Sequence, residues 1–148
     1  MKFHRVPALA GMAMVCAALA AVQMAMAQDA ALVTKANAGN AAAETQLGDY
    51  YSNQSTPKGY DEAAVWYKKA AAKGYGEAEY KLGIAYCWHE GVPQDYSEGY
   101  YEIALGIGDG VVDSNHWLNF AASHMTAAEV TAAKAKAQRW LKLHPAKK

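Results

Sequence analysis

A motif that returns at intervals of 35 and 36 residues restricts this chain to a repeat architecture. Leu47-Gly48-Asp49-Tyr50-Tyr51 aligns with Leu82-Gly83-Ile84-Ala85-Tyr86 at a spacing of 35, whereas Pro57 with Pro93 and Gly74 with Gly110 align at 36, one residue being gained in the loop. The step of 36 also carries Leu82 onto Leu118 and Ala85 onto Ala121. A unit of that length holds two helices and a turn, too little to bury an apolar face alone, so successive units must stack.

The clearest unit junction is residues 61–86, DEAAVWYKKAAAKGYGEAEYKLGIAY. Ala63, Trp66, Tyr67, Ala70 and Ala71 recur at three- and four-residue steps, one stripe of a 3.6-residue helix. Gly74 follows Lys73, a glycine just past a cationic last turn, which is a helix stop. Ala78, Leu82, Ala85 and Tyr86 draw the next stripe. Alanine and Gly83 keep that stripe low, so a neighbouring helix can approach, with Trp66 expected to fill the remaining gap. The pattern predicts two antiparallel helices.

Extending it predicts pairs at about 41–73, 76–108 and 112–143, with a leading helix or cap within 28–40. The last helix opens on Thr126-Ala127-Ala128-Glu129, a capping box, and carries an inner stripe of Val130, Ala133, Ala137, Trp140 and Leu141. The second pair is the irregular one. At a step of 36, Glu102 falls on Trp66 and Gly99 and Gly106 fall where alanines are expected, each glycine costing a helix interior about 1 kcal/mol. The helix from about Tyr96 to Leu105 is therefore expected to be the weakest, with 106–110 a long loop. A step of 34 competes, since it lays Tyr100-Tyr101 on Trp66-Tyr67.

Ahead of the repeats, Met1 to Arg5 is basic, Val6 to Met24 is largely apolar, and Ala25-Met26-Ala27 precedes Gln28. A charged start, an apolar centre and a small-x-small end predict a secretory signal peptide over 1–27, cleaved after Ala27. The expected location is the periplasm or outside the cell, with no stable membrane insertion after cleavage. Cys16 lacks the preceding residues of a lipoprotein signal.

The whole chain balances 14 basic against 14 acidic side chains, and loss of Lys2 and Arg5 leaves it two charges negative. No attraction to nucleic acid follows from that balance. The charges are unevenly placed, however: Glu77, Glu79, Glu90, Asp95, Glu98, Glu102, Asp109 and Asp113 face Lys81 alone between 77 and 113, and the C-terminal stretch reverses the sign with Lys134, Lys136, Arg139, Lys142, Lys147 and Lys148. Two solvated faces are the plainer account of this asymmetry. Tyr60, Trp88, Tyr96, Tyr100 and Tyr101 cluster in sequence with Glu90, Asp95, Glu98 and Glu102. An aromatic patch rimmed by carboxylates suits a partner protein with a basic segment, so these nine residues are the candidate partner-binding set, against packing and solubility as the alternative.

Nothing in the sequence points to catalysis. Cys87 is the one cysteine left after cleavage and reads as a small buried apolar residue. His89, His116, His124 and His144 show no i, i+4 zinc spacing, and there is no nucleophile elbow, phosphate loop or CxxC pair. Glu77 and Glu79 diverge around a helix and cannot act together as acid and base. The chain is read as a non-enzyme with no cofactor and no metal.

The series Ala43…Leu47-Gly48…Tyr51, Ala63…Trp66-Tyr67…Ala70-Ala71…Gly74…Ala78…Leu82-Gly83…Tyr86, followed by Gly91-Val92-Pro93-Gln94-Asp95-Tyr96, resembles the Sel-one-like repeat family, relatives of the tetratricopeptide repeats. The resemblance is strong from about Ala41 to Tyr96 and weaker beyond, where Met125-Thr126…Ala137…Trp140 is similar to the terminal helix of bacterial members. It implies an all-α, right-handed αα-hairpin solenoid of about three repeats over 41–148, with an inner curved face for protein contacts. One cysteine-rich branch is associated with penicillin-type antibiotic binding, but its members carry paired cysteines in each repeat and this chain does not. His89 replaces a loop glycine of the family pattern, and histidine tolerates the left-handed region better than most residues. The expected role is an exported protein–protein interaction module or scaffold, an adaptor or regulator of a cell-envelope protein. An inhibitor or immunity protein against a secreted toxic enzyme is the alternative, and a cell-wall or β-lactam hydrolase a more distant one.

Overall fold

The structure, a computed structural model, describes residues 29–111 and 115–145. The expected signal peptide, the expected helix start near Val112 and the terminal Lys147 and Lys148 lie outside these residues. α1 occupies 29–37, followed by α2 (Ala41–Ser52), α3 (Pro57–Ala71), α4 (Gly76–Trp88), α5 (Tyr96–Gly108), α6 (Asn115–Ser123) and α7 (Ala127–Leu143). No strand occurs among the described residues.

Short polar side chains start most of these helices by satisfying free amides of the first turn. The Asn40 side chain accepts from Ala43 N at 2.9 Å, Thr56 Oγ1 from Gly59 N at 3.0 Å ahead of Pro57, and Asp95 Oδ1 from Glu98 N at 2.9 Å. Thr126 and Glu129 form the reciprocal capping box of α7. α4 ends on His89, which adopts the left-handed conformation (φ 60°, ψ 38°). Its Nδ1 accepts from Gln94 N at 3.1 Å, so the ring that replaces glycine also ties down the loop it turns into.

α2 packs on α3 and α4 on α5 as helical hairpins, and α4 leans on α3 to join them. At the centre of each hairpin one glycine removes the side chain that would hold the helices apart. A Cβ on Gly83 would stand 2.6 Å from Ile103 Cγ1 and 2.8 Å from the Gly99 carbonyl, and one on Gly48 would strike the Tyr67 ring. Tyr67 and Ile103 thus occupy equivalent places 36 residues apart, and the second pair follows the step of 36, not 34. Both tyrosines of the competing alignment are nevertheless buried, Tyr100 with Cys87 and Ala121, Tyr101 with Leu105 and Ala137. The last two helices both close on α5. Ala133 and Ala137 give α7 a low stripe on which Tyr100, Tyr101 and Leu105 sit.

Two expectations are corrected. Residues 106–108 are helical, not loop, because Gly106 passes directly over the start of α4: a Cβ there would be 2.6 Å from the Gly76 carbonyl. The glycine that weakens the helix in isolation is what lets it dock. Trp66 does not fill the core. It is half-buried over Ala36, Ala43 and Leu47 with Lys69 Nζ 3.8 Å from the ring centre, and the buried aromatic of α3 is its neighbour Tyr67. Cys87 is 1% exposed, and burial pushes its thiol up to about 11, which leaves it protonated and inert at neutral pH.

Candidate partner-binding surface

The nine candidate residues are distributed over five environments. Tyr60 and Glu90 line a hollow of about 350 Å³ with Asp49, Tyr67 and Lys81. Three of its polar groups engage one another: the Tyr67 hydroxyl donates to Asp49 Oδ1 at 2.8 Å, and Lys81 Nζ is 2.9 Å from the same oxygen. Burial pushes the Glu90 carboxyl upward. Trp88 and Tyr96 join the aromatic side chains of α6, whose Trp117 and Phe120 pack against the core around Cys87 and Ala121. The Trp88 ring, about half exposed, stacks on Phe120 at 5.2 Å and meets Trp117 edge-on at 6.0 Å, while Tyr96 stacks on His124 at 4.4 Å. Asp95 is an N-cap, and Tyr100 is core.

Glu98, Tyr101 and Glu102 form the fifth group, where α5 meets α7. Lys136 of α7 is 2.7 Å from Glu98 Oε2, with its ammonium 3.8 Å from the Tyr101 ring centre. The chain therefore supplies a cation of its own to part of the acidic surface. Glu102 has none in ion-pair contact and lines a cavity of about 300 Å³ with Glu79, Tyr86, Tyr101, Trp140 and Lys68. Burial, then the charge of Glu98, push the Glu102 carboxyl up to about 7, Lys136 opposing.

Glu79 is the functional candidate that the sequence reading passed over. It is 1% exposed, and its carboxyl has no amide, hydroxyl or cation as a partner, only the hydrogen-bonding approach of the Asp109 carboxyl. Burial, then the charges of Asp109 and Glu102 and the approach of the Asp109 carboxyl, push it up to about 8. The signal was present: Glu79 aligns with Glu44 at the step of 35, and the residue aligned with the cation that pairs with Glu44, Lys73, is Asp109. A pairwise comparison of the repeats for charge, in addition to the apolar stripe, exposes it. Among the described residues no set of three or more His, Cys, Asp or Glu side chains could hold a metal ion, and no helix is long and apolar enough to cross a membrane.

No family model matches the sequence, and no curated protein matches it. Among solved structures the chain is similar to the crystal structure of c5321, a protective antigen present in uropathogenic Escherichia coli strains and displaying an SLR fold. The likeness has a TM-score of 0.65 at 25% identity and covers 75% of this chain. This chain spans only 24% of that protein. Helical hairpins joined through glycine contacts at a step of 35 to 36 residues, aligned on that structure, give this chain the Sel-one-like repeat (SLR) fold.

Proposed function

We propose that the chain is an exported protein–protein interaction module that receives a basic segment of a cell-envelope protein at the junction of α4, α5 and α7. The SLR fold is a protein-interaction repeat and typically non-catalytic. The observation that carries the finer reading is the cavity in which Glu79 and Glu102 stand among Tyr86, Tyr101 and Trp140. Acidic side chains beside aromatic ring faces in one cleft suit a cationic partner, whose approach favours the ionised carboxyls. An adaptor or regulator uses such a cleft to dock its partner without acting on it chemically. In this reading 1–27 is the export signal, 28–40 a cap and 41–148 the repeat domain.

The test is site-specific photo-crosslinking of the full chain in cells, with the photoreactive side chain at position 72, an exposed alanine on the rim of the cavity, or, as a comparison, at position 50, which is exposed on α2. One stoichiometric adduct from position 72, absent from position 50 and weakened by salt, supports the reading. No adduct from position 72 refutes it.

A further inference from the structure

Glu44 and Glu79 hold the same place in successive repeats, the fourth residue of α2 and of α4, and both are buried. In the first repeat the end of α3 supplies the partner: Lys73 Nζ is 2.6 Å from both Glu44 oxygens and donates to the Gly39 carbonyl at 2.8 Å. At the step of 36 the residue in the place of Lys73 is Asp109, which ends α5 and directly precedes the positive-φ Gly110 as Lys73 precedes Gly74. The second repeat has two acids where the first has an ion pair.

Aspartate is far shorter than lysine, and two accompanying changes remove side chains from its way. Ala41 at the start of α2 corresponds to Gly76, and Ala70 near the end of α3 corresponds to Gly106. A Cβ on Gly76 would stand 2.7 Å from Asp109 Cβ, and one on Gly106 would stand 2.6 Å from the Gly76 carbonyl. The two glycines let the end of α5 settle on the first turn of α4, where the Asp109 carboxyl makes its hydrogen-bonding approach to Glu79. Both Glu79 oxygens are closed to solvent, and no amide, hydroxyl or ammonium donates to them. Two carboxylates cannot share such a contact, because each offers only acceptors; a carboxyl that keeps its proton can donate it.

We propose that the Glu79 carboxyl donates its proton to the Asp109 carboxylate, and that this bond is a proton-dependent clasp that closes the end of α5 on the start of α4 and opens when the proton is lost. The clasp takes the place of the Lys73–Glu44 ion pair but contains a proton that a change of pH removes. Loss of that proton sets two like charges against each other in a closed site, and Asp109 then turns out toward the cavity that it lines. That cavity, of about 980 Å³, is bounded by Gly76, Glu77, Asp109 and His144; Glu79 lines the one of about 300 Å³, and Trp140 belongs to both. Opening the clasp joins the two hollows into one groove along α4, α5 and α7. The inference concerns the fold itself and holds whichever partner the cleft receives.

Glu102 and Tyr101 face the pair from α5, Glu77 from α4, Lys68 and Lys73 from α3, and His144 from the end of α7. None of them pairs with Glu79. Lys73 is held by Glu44, Lys68 stands 6.0 Å from the Tyr86 ring centre, Lys136 of α7 is held by Glu98, and His144 Nδ1 faces the Trp140 carbonyl at 3.0 Å. Burial, then the charges of Asp109 and Glu102, push Glu79 up to about 8, so the clasp is closed at pH 7 and open at pH 9.

The experiment is hydrogen–deuterium exchange of the full chain between pH 6 and 9, read by mass spectrometry and corrected for the base-catalysed rise in intrinsic rate. Expected is about a tenfold loss of protection in 76–80 and 105–111 between pH 7 and 9, the ratio set by one proton leaving at about pH 8. The corresponding end of the first hairpin, 41–45 and 68–73, is expected to keep its protection. Asp109→Asn presents an amide that donates to the ionised Glu79, and Glu79→Gln one that donates to Asp109, so both variants are expected to stay closed at pH 9. The wild-type loss retained in Asp109→Asn shows that Glu79 titrates without Asp109 and overturns the clasp. Protection that falls equally in the two hairpins is global loosening and overturns it as well, as does wild-type protection unchanged up to pH 9.

Discussion

Lys136 places its ammonium 3.8 Å from the centre of the Tyr101 ring while the same nitrogen pairs with Glu98 at 2.7 Å. Two residues three apart on α5 are thus held by one side chain of α7, so the terminal helix is fastened by charge as well as by its alanine stripe. The Lys136 side chain is half exposed, which keeps the contribution modest and sensitive to salt. Lys136→Met retains the stem and is expected to cost about 1 kcal/mol in urea unfolding at low salt. The loss should shrink in 0.5 M NaCl; an unchanged midpoint at low salt contradicts the contact.

Raised carboxyl pKa values make stability fall with pH. Glu79 rises from 4.5 to about 8 and Glu102 to about 7, so between pH 4.5 and 8 the native state binds more protons than the unfolded chain. The unfolded state gains from ionisation across that window, and the protein is expected to melt at progressively lower temperature from pH 5 to pH 8.5. Glu79 is the larger contributor, on the order of 2–4 kcal/mol. Glu129, held below its ordinary value by Thr126, acts in the opposite sense but only at lower pH. Melting curves of Glu79→Gln should be flatter over this window and higher at pH 8.5, and a wild-type curve that rises with pH refutes the assignment.

Much of the fold is legible in the residues because it rests on period. The stripe Ala78, Leu82, Ala85 names the buried face of α4, Gly83 announces the close approach of α5, and Thr126 with Glu129 marks the start of α7. What period cannot carry is contact between residues far apart in sequence. Lys136 meets Glu98 across 38 positions, which breaks the acidic surface into a neutralised part and an open part. The nine candidates separate for the same reason: helical rotation turns Tyr100 into the core, sends Trp88 and Tyr96 toward Phe120 and leaves Glu102 beside Glu79. Gly106 misleads locally because its value is tertiary, a bare surface for the Gly76 carbonyl.

The exchange of roles between Trp66 and Tyr67 is directly measurable. Tyr67 is 6% exposed, its ring lies on Gly48, and its hydroxyl donates to Asp49 at 2.8 Å. Tyr67→Ala is expected to cost about 3–5 kcal/mol, and Tyr67→Phe about 1–2 kcal/mol, since the lost hydrogen bond has a charged acceptor. Trp66→Ala removes a half-buried ring and should cost about 1–2 kcal/mol. Urea unfolding of the three variants checks the order, and a larger loss at Trp66 than at Tyr67 puts the core on the wrong side of α3.

The pair that the first repeat has and the second lacks supplies the last prediction. Glu44 has a side chain only 4% exposed, and Lys73, 40% exposed, reaches it from the end of α3. Removing the lysine head strands a buried carboxylate. Full burial of both partners makes such a loss about 3–5 kcal/mol, and the access of water to Lys73 lowers it to about 1–3 kcal/mol. Lys73→Met is therefore expected to destabilise by that amount at pH 7.5, and much less at pH 5, where the stranded carboxyl can take up a proton. Adding Glu44→Gln should recover most of the loss, because an amide in the same place carries no charge to strand. A double variant no more stable than Lys73→Met shows that Lys73 acts through its contact with the Gly39 carbonyl and not through Glu44.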